Sequence, residues 1–188
     1  MTAKTTSRSR SRLRAPRSPR RANATVGKNG VVTRIGLDKD QRGKVAELLG
    51  KLLADQHVLY QKTRMCHWNL VGGRFDPLHK LFEAQYEQLA EAIDQTAERM
   101  RILDQVSPAS MRELLAMARL TEADGRLVTG QQALNLLLAD HEAAIRQLRE
   151  DIAACDEQHE DVGTADFLTG LLRAHEKTAW MLRSHLEA

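Results

Sequence analysis

Residues 62–103 read KTRMCHWNLVGGRFDPLHKLFEAQYEQLAEAIDQTAERMRIL. Gly72 and Gly73 break the stretch between two helical patterns. Upstream, Val45, Leu48, Leu49, Leu52, Leu53, Val58 and Leu59 recur at helical spacing and predict a long first helix running to about Trp68 or Asn69. Downstream, Asp76 reads as an N-cap with Pro77 at the first helical position. Apolar residues then recur at Leu78, Leu81, Phe82, Tyr86, Leu89, Ile93, Ala97, Met100 and Leu103, predicting a second long helix that ends near Asp104.

Further along, Ser107-Pro108 predicts a short helix through about Ala118, and Thr129 with Gln132 makes a capping box that opens a third long helix to about Cys155. A fourth helix is expected from near Thr164, carrying Phe167, Leu168, Leu171, Leu172, Trp180, Met181 and Leu182. The fold class is therefore all-α: a four-helix bundle with a short extra helix in the connection between helices 2 and 3. The length of that connection points to a crossover rather than a tight antiparallel turn.

Composition supports this reading. The chain has 188 residues, 42% of them hydrophobic, enough for one domain with a buried core. With 11 glycines and 4 prolines it is too poor in turn formers for a loop-rich β-sandwich. Two cysteines, Cys66 and Cys155, make no disulfide framework and fit a reducing, cytoplasmic setting. No apolar run approaches the ~20 residues of a membrane span.

Charge divides the chain. Residues 1–36 carry ten basic residues and no acid, leaving 18 of the 28 basic residues against all 25 acidic ones in the remainder. Residues 1–36 are thus expected to be a disordered basic tail and residues 37–188 the bundle. Lys4, Arg8, Arg10, Arg12, Arg14, Arg17, Arg20 and Arg21 suit sequence-independent binding to DNA phosphates and a nucleoid-associated location, since dense cationic charge releases counterions without needing a fold. A cleaved transit peptide and a solubilising terminus are the competing readings of the same segment.

His67 and His79 flank the glycine break, and helix 2 then supplies Glu83, Asp94 and Glu98. At about 100° per residue, His79, Glu83, Asp94 and Glu98 share one face beside the apolar stripe. Imidazole with carboxylate suits iron or zinc. Glu87 and Glu91 lie on that face too, and an acidic stripe is ordinarily solvated surface. Against that stands the i, i+4 repulsion of Glu83 with Glu87, Glu87 with Glu91 and Asp94 with Glu98, which a cation would relieve.

His79 and Asp94 stand 15 residues apart, about 22 Å on a straight helix, so one chain cannot bring both to one metal. Two copies packed antiparallel about a two-fold axis would form two equivalent sites. The paired Glu-x-x-His motifs of an ordinary di-iron bundle do not occur. Cys66 points about 100° away from His67 on the helix and reads as a small buried residue. His57, His141, His159, His175 and His185 form no zinc spacing and read as surface or satisfied core histidines.

The quoted stretch closely resembles the Dps family, the DNA-binding proteins from starved cells, or mini-ferritins. The match lies in His67-Trp68-Asn69, a histidine twelve residues after the first, and Asp94-x-x-x-Glu98; TADFLTGLLRAHEKTAWMLRSHLE is similar to the family's fourth helix. The resemblance implies a ferritin-like bundle in a hollow homododecamer that oxidises Fe(II), typically with hydrogen peroxide, and stores the ferric mineral. It implies a ferroxidase centre of His67 and His79 with the partner subunit's Asp94 and Glu98. Glu83 falls where many members carry aspartate, and Trp68 where a tryptophan is thought to take part in electron transfer. Acidic pores for iron entry would draw on Glu160, Asp161 and Asp166. The alternative is a nucleoid-compacting DNA-binding protein with little ferroxidase activity.

Overall fold

The computed structural model describes residues 33–186. Helix α1 spans Lys39–Asn69, α2 Phe75–Ile102, α3 Met111–Met117, α4 Gly130–Ala153 and α5 Val162–Ser184. Two-residue strands β1 (Leu70–Val71) and β2 (Val128–Thr129) pair in parallel, Leu70 opposite Val128, tying the end of α1 to the start of α4.

The helix ends follow local chemistry. Asp38 and Gln41 form a reciprocal capping box on α1, and Thr129 with Gln132 forms the expected one on α4. Two expected starts are corrected. Helix α2 begins at Phe75, whose N–H bonds the Gly72 carbonyl, with Arg74 as a cap that offers no side-chain bond. Asp76 therefore lies inside the first turn, paired with Lys80, and Pro77 occupies a first-turn position where a helical N–H has no partner to lose. The short helix starts at Met111, because Ser110 with Glu113 makes a full capping box that Ser107-Pro108 cannot. At the far end of the bundle, α4 passes into a π-helical turn, Ala154–Gln158, before α5 begins at Val162 under the Asp161 cap.

Helix α1 lies at the centre of the molecule and is buried on most of its circumference, Arg42, Asp55 and Lys62 included. The crossover from α2 to α4 is pinned to it by one carboxylate. Asp55 accepts from the N–H of Arg119 at 2.6 Å, the N–H of Leu120 at 3.0 Å and Arg119 Nε at 2.7 Å, while Arg119 Nη1 reaches Asp151 of α4 at 3.1 Å. Burial raises the Asp151 carboxyl above its ordinary value, with Arg119 opposing that shift. Helix α3 packs on α1 at Gly50, where an added Cβ would stand 2.5 Å from Met117 Cε and oblige the end of that side chain to shift.

The apolar core falls into two clusters. One gathers Leu49, Leu52, Leu53, Met100, Leu148 and Leu168; the other Leu59, Leu78, Phe82, Leu134, Leu137 and Leu182.

Candidate metal centre

The β1 turn folds α2 back on α1 and brings His67 against His79. The two rings stack with centroids 3.6 Å apart and planes 19° from parallel. His67 Nδ1 lies 2.9 Å from the His79 carbonyl oxygen, and His79 Nδ1 lies 3.0 Å from the His67 carbonyl oxygen. A carbonyl only accepts, so each Nδ1 carries the proton and donates it. His67 is in the last turn of α1, where carbonyls have no helical partner, so the His79 ring satisfies one of them. In the neutral imidazoles this arrangement leaves the Nε2 lone pairs for a metal, and it fixes ligand orientation before a metal arrives. His67 is buried and His79 half-buried.

Aromatic groups surround the pair. Phe75 stacks on His79 at 4.9 Å, and Tyr86 meets His67 edge-on at 5.3 Å. The Tyr86 hydroxyl reaches Glu83 Oε1 at 3.4 Å, and its phenol is held above its ordinary value by desolvation and then by the Glu83 carboxylate. Arg64 lies over Trp68 at 4.5 Å and also faces Tyr60 and Tyr86. Phe75 and Arg64 were not singled out from the sequence, and Tyr86 was read only as part of the apolar stripe of α2. The signal was present as i, i+4 spacing: Phe75 to His79, Arg64 to Trp68 and Tyr60 to Arg64.

Of the expected ligands, the fold brings His67 and His79 together and leaves Glu83 exposed one turn beyond His79. Asp94 and Glu98 are exposed and lie farther along α2. Among the described residues of one chain, no group of three or more His, Cys, Asp or Glu side chains is placed to hold a metal. Trp68 is 54% exposed, so its indole is a surface group of the single chain rather than a core aromatic.

Two further expectations meet the structure differently. Asp161 is buried and fully engaged: it accepts from Thr164 N at 2.9 Å and from Thr164 Oγ1 at 2.6 Å, and pairs with Arg99 at 3.1 Å. It is the N-cap of α5, with its carboxylate held within the chain. Glu160 and Asp166 are exposed near the same helix start. The tail residues Lys4, Arg8, Arg10, Arg12, Arg14, Arg17, Arg20 and Arg21 lie outside the described residues.

Cys66, beside His67, is fully buried, and burial pushes its thiol up to about 12, so it offers neither thiolate nor ligand at neutral pH. His141 and His175, read from sequence as surface or satisfied core histidines, are core histidines bonded to each other through their Nδ1 atoms.

A family model described as a ferritin-like domain matches residues 46–188. The chain is 32% identical to DNA protection during starvation protein 2 of Bacillus anthracis, over 76% of this chain and 97% of that protein. The Dps protein of Vibrio cholerae, described as a member of a broad superfamily of ferritin-like diiron-carboxylate proteins, superposes with a TM-score of 0.78 at 32% identity, covering 88% of this chain and 99% of that one. The chain belongs to the Dps family of ferritin-like proteins. It is also 44% identical to an uncharacterised low temperature-induced protein of Nostoc, over 81% of this chain and 86% of that protein. Family membership gives this Dps chain an iron-binding, stress-response background. No described helix is long and apolar enough to cross a membrane.

Proposed function

We propose that this Dps chain is a ferroxidase whose catalytic centre is shared between two subunits. The observation that carries the reading is the reciprocal clasp of His67 on α1 and His79 on α2: two oriented imidazoles with Nε2 disengaged, while Asp94 and Glu98 stand too far along α2 to join them within one chain. A two-fold mate running antiparallel would lay its Asp94 and Glu98 beside this pair. Glu83, one turn from His79 and contacted by Tyr86, adds a carboxylate from the histidine-bearing subunit. The set of imidazole nitrogens and carboxylate oxygens fits Fe(II) as substrate. The same donors take zinc, which is therefore expected to compete.

The protein's part is to hold two ferrous ions close together. Each loses one electron, and the pair reduces one hydrogen peroxide, whose O–O bond breaks to give two hydroxide ions. Delivering both electrons together avoids releasing hydroxyl radical. The carboxylates balance the charge gained by the iron, and Phe75 on His79 with Tyr86 edge-on to His67 flank the two rings. Twelve copies would enclose the ferric product, with Glu160 and Asp166 at the entry pores and the basic tail holding the shell on DNA near the nucleoid of the cytoplasm. The Bacillus anthracis and Porphyromonas gingivalis relatives are named for DNA protection during starvation, which supports this setting.

The test follows Fe(II) oxidation by peroxide in His67→Ala, His79→Ala and Asp94→Ala proteins that retain wild-type helicity. Rates are expected to collapse in each. Full peroxide-dependent rates in all three would refute the centre built on His67, His79 and Asp94, whereas a wild type without peroxide-dependent oxidation would favour a DNA-compacting scaffold.

A further inference from the structure

The two apolar clusters meet on α1, α4 and α5 at polar residues: Gln56 from α1, His141 from α4 and His175 from α5, all buried. Gln85 of α2 joins them, lining one cavity with His141, His175, Gln88 and Thr178. His141 Nδ1 stands 2.9 Å from His175 Nδ1, with the ring centroids 5.0 Å apart.

Two imidazole nitrogens at that separation hold a single proton between them. One ring donates, the other accepts, and both are neutral. A second proton would set two N–H groups head to head and bury a charge.

No counter-ion is at hand. From α2 the cavity receives the uncharged Gln85 and Gln88, and from α5 Thr178 is its other polar group. Asp140, next to His141, is directed to Lys62 of α1 in a largely buried ion pair. Glu142 pairs with Arg183, and Glu176, next to His175, pairs with Arg149. Every carboxylate adjacent in sequence to the pair is thus engaged elsewhere. His141 Nε2 and both amide atoms of Gln85 have no hydrogen-bond partner among the described residues.

We propose that the His141–His175 bond is an acid-released clasp: as neutral imidazoles the two rings lock α4 to α5 where the halves of the core meet, and a second proton breaks the lock.

Burial holds the His141 imidazole well below its ordinary 6.5, and the neighbouring His175 lowers it further; burial brings His175 down to about 4. The sign follows. Below 6.5 the unfolded chain binds protons that the folded core refuses, so stability is complete at neutral pH and declines as pH falls toward 4. Each histidine raises the unfolding constant about tenfold per pH unit in that window.

The experiment compares full-length wild type, His175→Gln, and His141→Leu/His175→Leu by urea unfolding at one protein concentration, from about pH 7 to about pH 4.5. Relative to the double variant, the wild-type unfolding constant is expected to rise by up to about a hundredfold per pH unit, and that of His175→Gln by about tenfold. Wild-type amide protection factors, which correct for the intrinsic slowing of exchange in acid, should fall in α4 and α5 on acidification before those in α1. An acid slope in the double variant equal to that of wild type would overturn the proposal, as would protection that falls equally in all helices. Should the double variant fail to fold, wild type against His175→Gln decides on the same slope difference.

Discussion

Complementation between two inactive variants tests the shared centre most directly. In a two-fold dimer, the histidines of each chain serve one site and the acids of that chain serve the other. Alter the histidines in one chain with His67→Ala/His79→Ala, and the acids in another with Asp94→Ala/Glu98→Ala. Each homodimer then has two broken sites. In the mixed dimer both lesions fall on the same site, and the second site is assembled wholly from unaltered side chains. Random assembly of equal amounts makes about half of the dimers mixed, each with one of two sites intact, so about a quarter of the wild-type complement is restored. The two chains are co-expressed with different tags, the mixed assemblies isolated through both tags, and Fe(II) oxidation by peroxide followed by absorbance. Activity equal to the average of the two parents would refute the intersubunit geometry.

Other consequences are equally direct. Asp55→Ala removes the acceptor for two backbone N–H groups and for Arg119 Nε at a site only 4% exposed, so a loss of about 3 kcal/mol is expected in urea unfolding; a change below about 1 kcal/mol would show that the crossover is held by other contacts. A chain beginning at Leu37 should bind DNA weakly and with a flatter dependence on log salt than the full chain; equal slopes in a gel-shift series would remove the tail from the DNA interface. Thr129→Ala deletes the acceptor for Gln132 N at the start of α4 and should cost about 1 kcal/mol by thermal unfolding, with Thr129→Ser restoring most of it.

The bundle could be read from sequence because its signals were local and repeated: apolar residues at helical spacing and the Thr129/Gln132 box each need only a few neighbouring residues to act. The displaced start of α2 shows where such reading stops. Asp76-Pro77 is a strong local signal, but the carbonyl of Gly72 takes the Phe75 N–H and starts the helix earlier. Asp55, Arg119 and Asp151 carried no signal, since their meaning arises only when a connector, α1 and α4 converge. At the candidate centre, His67 and His79 were visible as a spacing across a break. Their reciprocal hydrogen bonds were not, because these depend on the turn angle. The capping role of Asp161 was hidden for a related reason: an acid near a helix start can face solvent or cap the helix, and Thr164 and Arg99 decide between the two.

The acceptors that fix the His67 and His79 rings are main-chain oxygens, so their aim is encoded in backbone shape rather than in any neighbouring side chain. Drift in the surrounding residues leaves that aim untouched. Chain length across the bend does not share this tolerance: one residue inserted between Asn69 and Arg74 would carry both oxygens out of register at once. Selection on this corner of the protein should therefore show as an intolerance of insertions and deletions more than as an invariance of residue type.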